Sequence, residues 1–370
     1  MAKRKNSEGG ISFDKSRNSY RASVTAPDGR RIFKRFKTKE EALSWKNEQL
    51  YNMQKGTFVS PSDVLLGEWL LKWLETYKKD TVKQRTYERY VSLAKHLIPL
   101  SGFKLQELNA IQVQEFYKTM PNLSACTINK IHKLLKECCT KAYQLEMVQK
   151  NIMELVQAPK YEAPGIEVFK KEEIEKILTT CKNHTILNKK YPIILLLVTT
   201  GARLGEILGL RWCDVFLASS EIYIRRSLQS SNMLGLILES PKTKASIRKI
   251  KITQEACEEL KKLKAKTKNI DLKQEKLCFL TRKGTPISPH NFERSWKDLL
   301  RNASVEYKKI HTLRHTHATE LLANGIPLSD VAKRLGHSKQ SHTLELYSHA
   351  LPNHDEIITS AIQQLYSVPK

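Results

Sequence analysis

Residues 200–214 read Thr-Gly-Ala-Arg-Leu-Gly-Glu-Ile-Leu-Gly-Leu-Arg-Trp-Cys-Asp and follow a dense apolar run that ends at Val198. Gly201 predicts the end of one helix, and Arg203 then begins the next. A helix N-terminus favours phosphate, and a guanidinium there adds a bidentate donor for two phosphate oxygens. Glu206 lies one turn later on the same face and can orient that guanidinium; alone, this spacing also fits a structural Arg–Glu pair. The stretch therefore predicts a helical domain with a candidate phosphate site.

Three further motifs carry groups that can act on a phosphate. Lys242 lies in Pro-Lys-Thr-Lys between two strand-like segments, where a turn lysine can reach a leaving-group oxygen. His311 and Arg314, in His-Thr-Leu-Arg, are three residues apart and share one helix face. His337 follows Leu-Gly, and Tyr347 comes ten residues later in Leu-Glu-Leu-Tyr. A phenol has a pKa of about 10, so Tyr347 needs cationic neighbours to become a nucleophile.

The histidines and cysteines do not form a metal-ligand pattern. His311 and His315 share a helix face, but no nearby acidic or cysteine ligand completes a zinc set. The seven cysteines are odd in number and include no Cys-x-x-Cys pair. We therefore expect no metal or other cofactor, and we expect reduced thiols that are mostly buried.

The composition indicates a polyanionic partner. The 370 residues include 63 Lys and Arg against 38 Asp and Glu, a formal net charge of +25. Nucleic acid is the default partner of such a chain. Its longest apolar runs fall far short of the roughly 20 residues that span a bilayer. The basic start, Met-Ala-Lys-Arg-Lys, has no apolar stretch behind it and is not a secretory signal, so we expect a cytoplasmic protein.

Residues 1–60 are predicted to form a separate DNA-contacting module. This segment holds 14 Lys and Arg against 6 Asp and Glu. Residues 11–13, 20–25 and 31–36 are typical of short strands, and Thr38 with Glu41 predicts a capping box that opens a helix. A basic sheet face can enter a DNA groove, although a solvated charged face is the simpler alternative. The candidate DNA-binding residues are Arg21, Arg31, Lys34, Arg35 and Lys37.

The rest of the chain divides at a Pro- and Gly-containing stretch. Residues 63–158 have helical periodicity, with helices predicted near 86–97, 111–118 and 127–144. Residues 159–165, Pro-Lys-Tyr-Glu-Ala-Pro-Gly, predict a linker. The C-terminal part, residues 166–370, is mostly helical, with strand-like segments at 222–226, 236–239 and 247–252. The predicted fold class is mainly α with small β-sheets.

The combined motifs resemble those of the tyrosine recombinase family, in particular the integrases of temperate phages and conjugative transposons of Gram-positive bacteria. The resemblance covers nearly the whole chain. It implies a three-stranded sheet with a helix that binds arm-type DNA, a helical SAM-like domain that clamps the core site, and an α+β catalytic domain. The implied catalytic residues are Arg203, Lys242, His311, Arg314, His337 and Tyr347, supported by Glu206.

The resemblance also implies a reaction and its partners. Tyr347 attacks a DNA phosphodiester, the 5′-oxygen leaves, and a 3′-phosphotyrosine stores the bond without ATP or metal. Lys242 is the candidate acid for the 5′-oxygen, His311 the candidate for assisting the phenol proton, and His337 a supporting phosphate donor. The implied partners are double-stranded DNA at core-type and arm-type attachment sites, a homotetramer on DNA, an excisionase and a host DNA-bending protein.

Two other functions remain open at this stage. Residues 327–336 resemble part of a helix-turn-helix, which suits a regulator that has no need of Tyr347. A type IB topoisomerase would use similar chemistry but relax DNA without pairing two sites. The separate basic module at residues 1–60 favours the recombinase.

Overall fold

The computed structural model describes residues 10–161, 165–241, 243–266, 276–347 and 359. The chain separates into two compact units, residues 1–162 and 163–370. This boundary falls within the stretch predicted as a linker. The finer division into residues 1–60, 63–158 and 166–370 remains a prediction. Within the described ranges, every helix is too short or too polar to cross a bilayer.

The first unit begins with a sheet and a helix. The sheet is antiparallel with strand order β1-β2-β3, and the first helix packs against it. The capping box between Thr38 and Glu41 forms as predicted. The tilted contact between the rings of Phe36 and Trp45 ties the sheet to the helix. These elements are β1 (Gly10–Asp14), β2 (Ser19–Thr25), β3 (Arg31–Phe36) and α1 (Lys39–Gln54).

The remainder of the first unit is helical and has its own apolar core. Trp69 and Trp73 are buried in it, together with Leu135 from the longest helix. The Trp69 indole also donates a hydrogen bond to the Cys138 carbonyl, 3.1 Å away. The helices are α2 (Leu66–Trp73), α3 (Gln84–Ala94), α4 (Ala110–Lys118) and α5 (Ala125–Gln144), with a π-helical turn at Leu74–Lys78 and 3₁₀ turns at Lys95–Leu100 and Ile152–Glu154.

The second unit is built around a fully buried helix. In α7 (Tyr191–Thr200) nearly every side chain lies in the core, which is what an uninterrupted apolar run requires. The remaining helices are α6 (Lys171–Asn183), α8 (Leu204–Leu208), α9 (Gln254–Lys266), α10 (Pro289–Asn302), α11 (Thr312–Ala323), α12 (Leu328–Leu335) and α13 (Gln340–Tyr347), with 3₁₀ turns at Leu187–Lys190, Trp212–Asp214 and Lys244–Ser246.

Two small antiparallel sheets complete the second unit. One has strand order β4-β5-β8, and the other is a β6-β7 hairpin. The sequence did not predict β6, whose residues Ser-Leu-Gln-Ser-Ser have little strand propensity; the strand forms through its pairing with β7. The mainly α class with small sheets is confirmed. The strands are β4 (Val215–Phe216), β5 (Glu221–Ile224), β6 (Ser227–Ser231), β7 (Gly235–Glu239) and β8 (Arg248–Lys251).

Gly205 positions the short helix α8 against the β6-β7 hairpin. A Cβ atom at this position would lie 2.6 Å from the Leu228 carbonyl oxygen, so only a glycine allows this approach of helix to strand. Arg203 is the residue that caps the start of α8. The close packing therefore places a guanidinium at the junction between α7 and α8.

Candidate active site

Arg203 and Glu206 form the first part of the site. The Arg203 Nη1 atom lies 2.8 Å from Glu206 Oε1, and the Arg203 backbone N–H donates to Glu206 Oε2 at 3.0 Å. Glu206 is buried, whereas 41% of the Arg203 side chain is exposed. The buried carboxylate therefore holds one side of the guanidinium and leaves its solvent-exposed side open to a ligand.

Arg248 is a second partner of Glu206 that the sequence did not reveal. Its Nη2 atom lies 2.9 Å from Glu206 Oε2, and both side chains are buried. Its other nitrogens donate to the carbonyls of Ser246 (3.0 Å) and Arg334 (2.6 Å). Burial would raise the pKa of Glu206, but Arg248 and Arg203 outweigh it and hold that pKa below its ordinary value. The only available signal was an arginine at an inward position of the alternating strand β8.

Arg314 is anchored deeper than Arg203. It is 3% exposed and donates to the Gly201 carbonyl at 2.9 Å and the Leu335 carbonyl at 2.8 Å. Burial, with the charge of Arg203, lowers the pKa of Arg314 to about 9, so the guanidinium stays protonated at pH 7. The hydrogen bond to the Gly201 carbonyl also brings Arg314 close to Arg203, although the two arginines are far apart in sequence.

Tyr347 is buried, and its hydroxyl is hydrogen-bonded to a histidine that was not among the predicted catalytic residues. Its hydroxyl lies 2.7 Å from His315 Nδ1, and the residue is 1% exposed and belongs to the small apolar core that also contains Leu322 and Leu335. Burial raises the pKa of Tyr347, although Arg314 and Arg203 act in the opposite direction. In the sequence, His315 was a candidate only as a metal ligand, and nothing indicated that it is a partner of the tyrosine.

His311 lies beside this pair at the start of α11. Its ring meets that of His315 edge to face with 5.0 Å between centroids. The surrounding protein removes water from the ring, and this, with His315 and Arg314 nearby, lowers the pKa of His311 to about 4. His311 is therefore neutral at pH 7, even though its outer side is exposed to solvent.

Of the two remaining predicted residues, His337 and Lys242, the structure describes only His337. His337 is half-buried just after Gly336, the left-handed residue that ends α12, and its backbone N–H donates to the Ala332 carbonyl at 3.0 Å. Lys242 lies outside the described residues. In the described part of the chain, no group of three or more His, Cys, Asp or Glu side chains is arranged to hold a metal ion.

His317 supports the site from behind. Its Nδ1 lies 3.0 Å from the Val198 carbonyl, and its Nε2 accepts from Arg334 Nε at 3.1 Å. Because the carbonyl can only accept, the proton sits on Nδ1. Burial and the Arg334 charge lower the pKa of His317 to about 4, so it is neutral at pH 7. This residue ties α11 and α12 to the end of α7, beside Gly201.

Replacing Gly201 with alanine should destabilise the second unit more than the same change at Gly325. Both glycines have positive φ (64° and 77°), which costs alanine about 1 kcal/mol. At Gly201 a Cβ would also lie 2.5 Å from His317 Cδ2, adding about 1–3 kcal/mol of overpacking, whereas Gly325 has nothing within 4 Å. Thermal or urea unfolding of the two variants measures the difference. Equal losses would mean that the crowding at Gly201 relaxes freely.

The predicted DNA-binding residues of the first unit divide between two sheet faces. The β2-β3 register pairs Arg21 with Arg35, and alternation places Arg31 and the exposed Phe33 on the same face. The Arg21 guanidinium lies 3.8 Å from the centroid of the Phe33 ring. This face, which is opposite α1, is here called the arginine face.

The other two candidates are not part of the arginine face. Lys34 points to the opposite side of β3, the side on which Phe36 contacts α1. Lys37 follows the end of the strand. The structure thus brings together three of the five predicted residues and separates Lys34 from them.

Comparison with known proteins gives consistent matches along the chain. Residues 167–354 match the phage integrase family, and residues 65–120 match the N-terminal SAM-like domain of phage integrases. A XerC-like tyrosine recombinase of Caldanaerobacter subterraneus subsp. tengcongensis is 31% identical over 94% of this chain and 95% of that protein.

Two solved structures share the fold at low sequence identity. The Tn1549 transposon integrase, in complex with a circular intermediate DNA, has a TM-score of 0.71 and 20% identity over 81% of this chain and 99% of that one. A lambda integrase tetramer bound to a Holliday junction has a TM-score of 0.59 and 16% identity over 95% and 97% of the two chains.

Proposed function

Because the chain belongs to the phage integrase family of site-specific tyrosine recombinases, we propose that it integrates and excises a mobile DNA element through a 3′-phosphotyrosine on Tyr347. Family membership favours this activity over the two alternatives, a helix-turn-helix regulator and a type IB topoisomerase. The observation that carries the proposal is that Arg203, Arg314 and Tyr347, from three distant parts of the sequence, are brought together by two hydrogen bonds. Arg314 donates to the carbonyl of Gly201, two residues before Arg203, and the Tyr347 hydroxyl is hydrogen-bonded to His315, the residue after Arg314.

In the proposed reaction the two arginines bind the phosphate that is cleaved. Negative charge develops on the non-bridging oxygens as Tyr347 attacks, and preorganised guanidinium groups stabilise such charge by several kcal/mol. Arg203 offers its exposed side, held in place by Glu206. Within the described residues, only two of the five N–H donors of Arg314 are used, for the Gly201 and Leu335 carbonyls, so others are available to a phosphate oxygen.

The protons of the reaction need an acid and a base. The phenol oxygen forms a bond to phosphorus, and the bond from phosphorus to the 5′-oxygen breaks. We propose Lys242 as the acid that protonates the 5′-oxygen, with His311 and His337 donating to the phosphate. From the sequence, His311 was also the candidate for assisting the phenol proton. The reverse attack by a 5′-hydroxyl rejoins the strand, so bond energy is conserved without ATP.

Trapping the covalent intermediate tests the proposed function. A nicked duplex from the ends of the element that encodes the chain lets the short fragment that carries the free 5′-hydroxyl diffuse away, so the protein–DNA adduct accumulates. We expect a product that resists denaturation and yields, after proteolysis, a Tyr347 peptide linked to a 3′-phosphate. No adduct on any candidate site would support the regulator. Relaxation of supercoiled DNA without site preference would support the topoisomerase.

We propose that the N-terminal part, residues 1–60, binds arm-type DNA through the arginine face, while residues 63–158 and 166–370 hold the core site. Arginines clustered around an exposed aromatic ring suit contacts to a nucleic acid backbone. The further partners proposed are three more copies of the chain on DNA, an excisionase and a host DNA-bending protein. The site of action is proposed to be the cytoplasm.

The double change Arg21→Ala and Arg35→Ala should weaken binding to arm-type DNA and flatten its salt dependence. Each lost phosphate contact lowers the slope of log affinity against log salt by about 1, so a change near 2 is expected. Fluorescence anisotropy over a range of salt concentrations measures it. Lys34→Ala, on the opposite sheet face, is the matched control and should change the slope little. A larger effect of Lys34→Ala would show that the DNA binds to the other face of the sheet.

A further inference from the structure

We propose that His315 accepts the phenol proton of Tyr347 during DNA cleavage and returns it during rejoining. This inference rests on the proposed function and deepens it, because it assigns the base of the same reaction. The observation is the 2.7 Å hydrogen bond between His315 Nδ1 and the Tyr347 hydroxyl. In the described part of the chain, His315 is the hydrogen-bond partner of that hydroxyl, and His311 is not.

The charge states of the two groups suit a proton transfer. Burial raises the pKa of Tyr347, so the phenol keeps its proton in the resting protein. Burial and the charge of Arg314 lower the pKa of His315, so its ring is neutral at pH 7. In the Nε2–H tautomer, Nδ1 has a free lone pair directed at the hydroxyl. A general base must lie within about 2.6–3.2 Å of the atom that it deprotonates, and His315 meets this condition.

The fold holds the two residues in this geometry. His315 lies on α11 next to the anchored Arg314, and Tyr347 is the last residue of α13, with its ring clamped in the small core that α11 and α12 also form. The rings of His311 and His315 meet edge to face, and His311 is exposed to solvent. That exposed position suits a donor to a phosphate oxygen better than a base for a buried phenol.

The step balances in atoms and charge. As the Tyr347 oxygen bonds to phosphorus, its proton moves to His315 Nδ1, and the 5′-oxygen leaves with a proton from the proposed acid, Lys242. In rejoining, the 5′-hydroxyl attacks phosphorus and returns its proton to the Lys242 amine, and the imidazolium gives its proton back to the departing phenolate. The nearby positive charge of Arg314 makes the imidazolium a ready donor, which helps the return step.

A tyrosine analogue with an acidic phenol provides the test. Difluorotyrosine at position 347 ionises at a lower pH than tyrosine and needs less help from a base. We expect His315→Ala to slow adduct formation by about 10²–10⁴-fold. Difluorotyrosine should then recover at least about tenfold of that loss, and the rate change that it causes in His315→Ala should exceed the change that it causes beside an intact His315 by at least the same factor. His315→Asn, whose amide can still bond to the hydroxyl but is not a base, should be equally slow and equally rescued.

The controls separate the possible failures. Difluorotyrosine at Tyr307, an exposed residue of the same unit, should not rescue His315→Ala. Rescue of His311→Ala but not of His315→Ala would overturn the proposal and assign the base to His311. Cleavage by His315→Ala that is faster than wild type would also overturn it, because the contact would then restrain the tyrosine. If the wild-type protein forms no adduct, the proposed function itself fails, which is a different result.

Discussion

Replacing Tyr347 with phenylalanine is expected to abolish the covalent protein–DNA product while leaving DNA binding close to its wild-type strength. Phenylalanine fills the same space in the small core that contains Leu322 and Leu335 but lacks the oxygen that forms the phosphotyrosine. The fold loses one hydrogen bond, to His315, which is worth about 0.5–1.5 kcal/mol. Adduct formation on the nicked duplex measures the first effect, and a gel-shift assay on intact core-site DNA measures the second.

A matched change tests whether the effect belongs to this hydroxyl. Tyr307 is 52% exposed and lies in the same unit, so Tyr307→Phe should form the adduct at the wild-type rate. Tyr347→Phe that still forms a covalent product would refute the assignment of the nucleophile. Loss of both the product and DNA binding would show that the hydroxyl is needed for the fold, and would contradict the expectation that this change affects only the chemistry.

The local motifs of the sequence identified the residues whose roles depend on short spacings. Gly201, Arg203 and Glu206 could be placed at a helix junction because three or four residues span one helical turn. The capping box at Thr38 was found in the same way. Tyr347 depended on the combination of motifs, since a lone helical tyrosine has no chemistry of its own. The sequence therefore predicted the fold class and most of the candidate site.

The residues that the sequence missed depend on contacts between distant segments. Arg248 reaches Glu206 from another element, 42 positions along the chain, and β8 alone does not indicate what its inward arginine meets. The bond between His315 and Tyr347 depends on how α13 packs against α11, 32 positions earlier. The strand β6 exists because β7 pairs with it. Tertiary packing determines each of these features, so they cannot be predicted from the local periodicity of the sequence.

The buried charges at the centre of the site form one connected system. Glu206 neutralises Arg248 and also orients Arg203, so a single carboxylate serves both the core and the phosphate-binding surface. Arg314 and Arg248 then occupy the carbonyls at the ends of α7 and α12, where helix dipoles favour cations. Removing Glu206 should therefore affect stability and catalysis together, and the two effects can be measured separately.

Glu206→Ala should lower the free energy of unfolding of the second unit by about 3–5 kcal/mol, because it leaves the Arg248 guanidinium buried without its carboxylate. Urea unfolding measures the loss. Asp298→Ala is the matched control: it removes an exposed partner of Arg301, and such pairs contribute less than about 1 kcal/mol. Combining Glu206→Met with Arg248→Met removes both charges and should recover part of the stability, although adduct formation should stay slow because Arg203 has lost its support.

The pH dependence supplies a second test of the same ion pair. The folded-state pKa of Glu206 lies below its ordinary value of 4.5, so its contribution to stability is complete above that pH and decreases as pH falls through the folded-state pKa. The free energy of unfolding of the wild type should therefore exceed that of Glu206→Gln most clearly near neutral pH, and this difference should shrink as the pH falls. A difference that stays constant on acidification would mean that the carboxylate charge does not stabilise Arg248, and that Glu206 acts through its shape and hydrogen bonds alone.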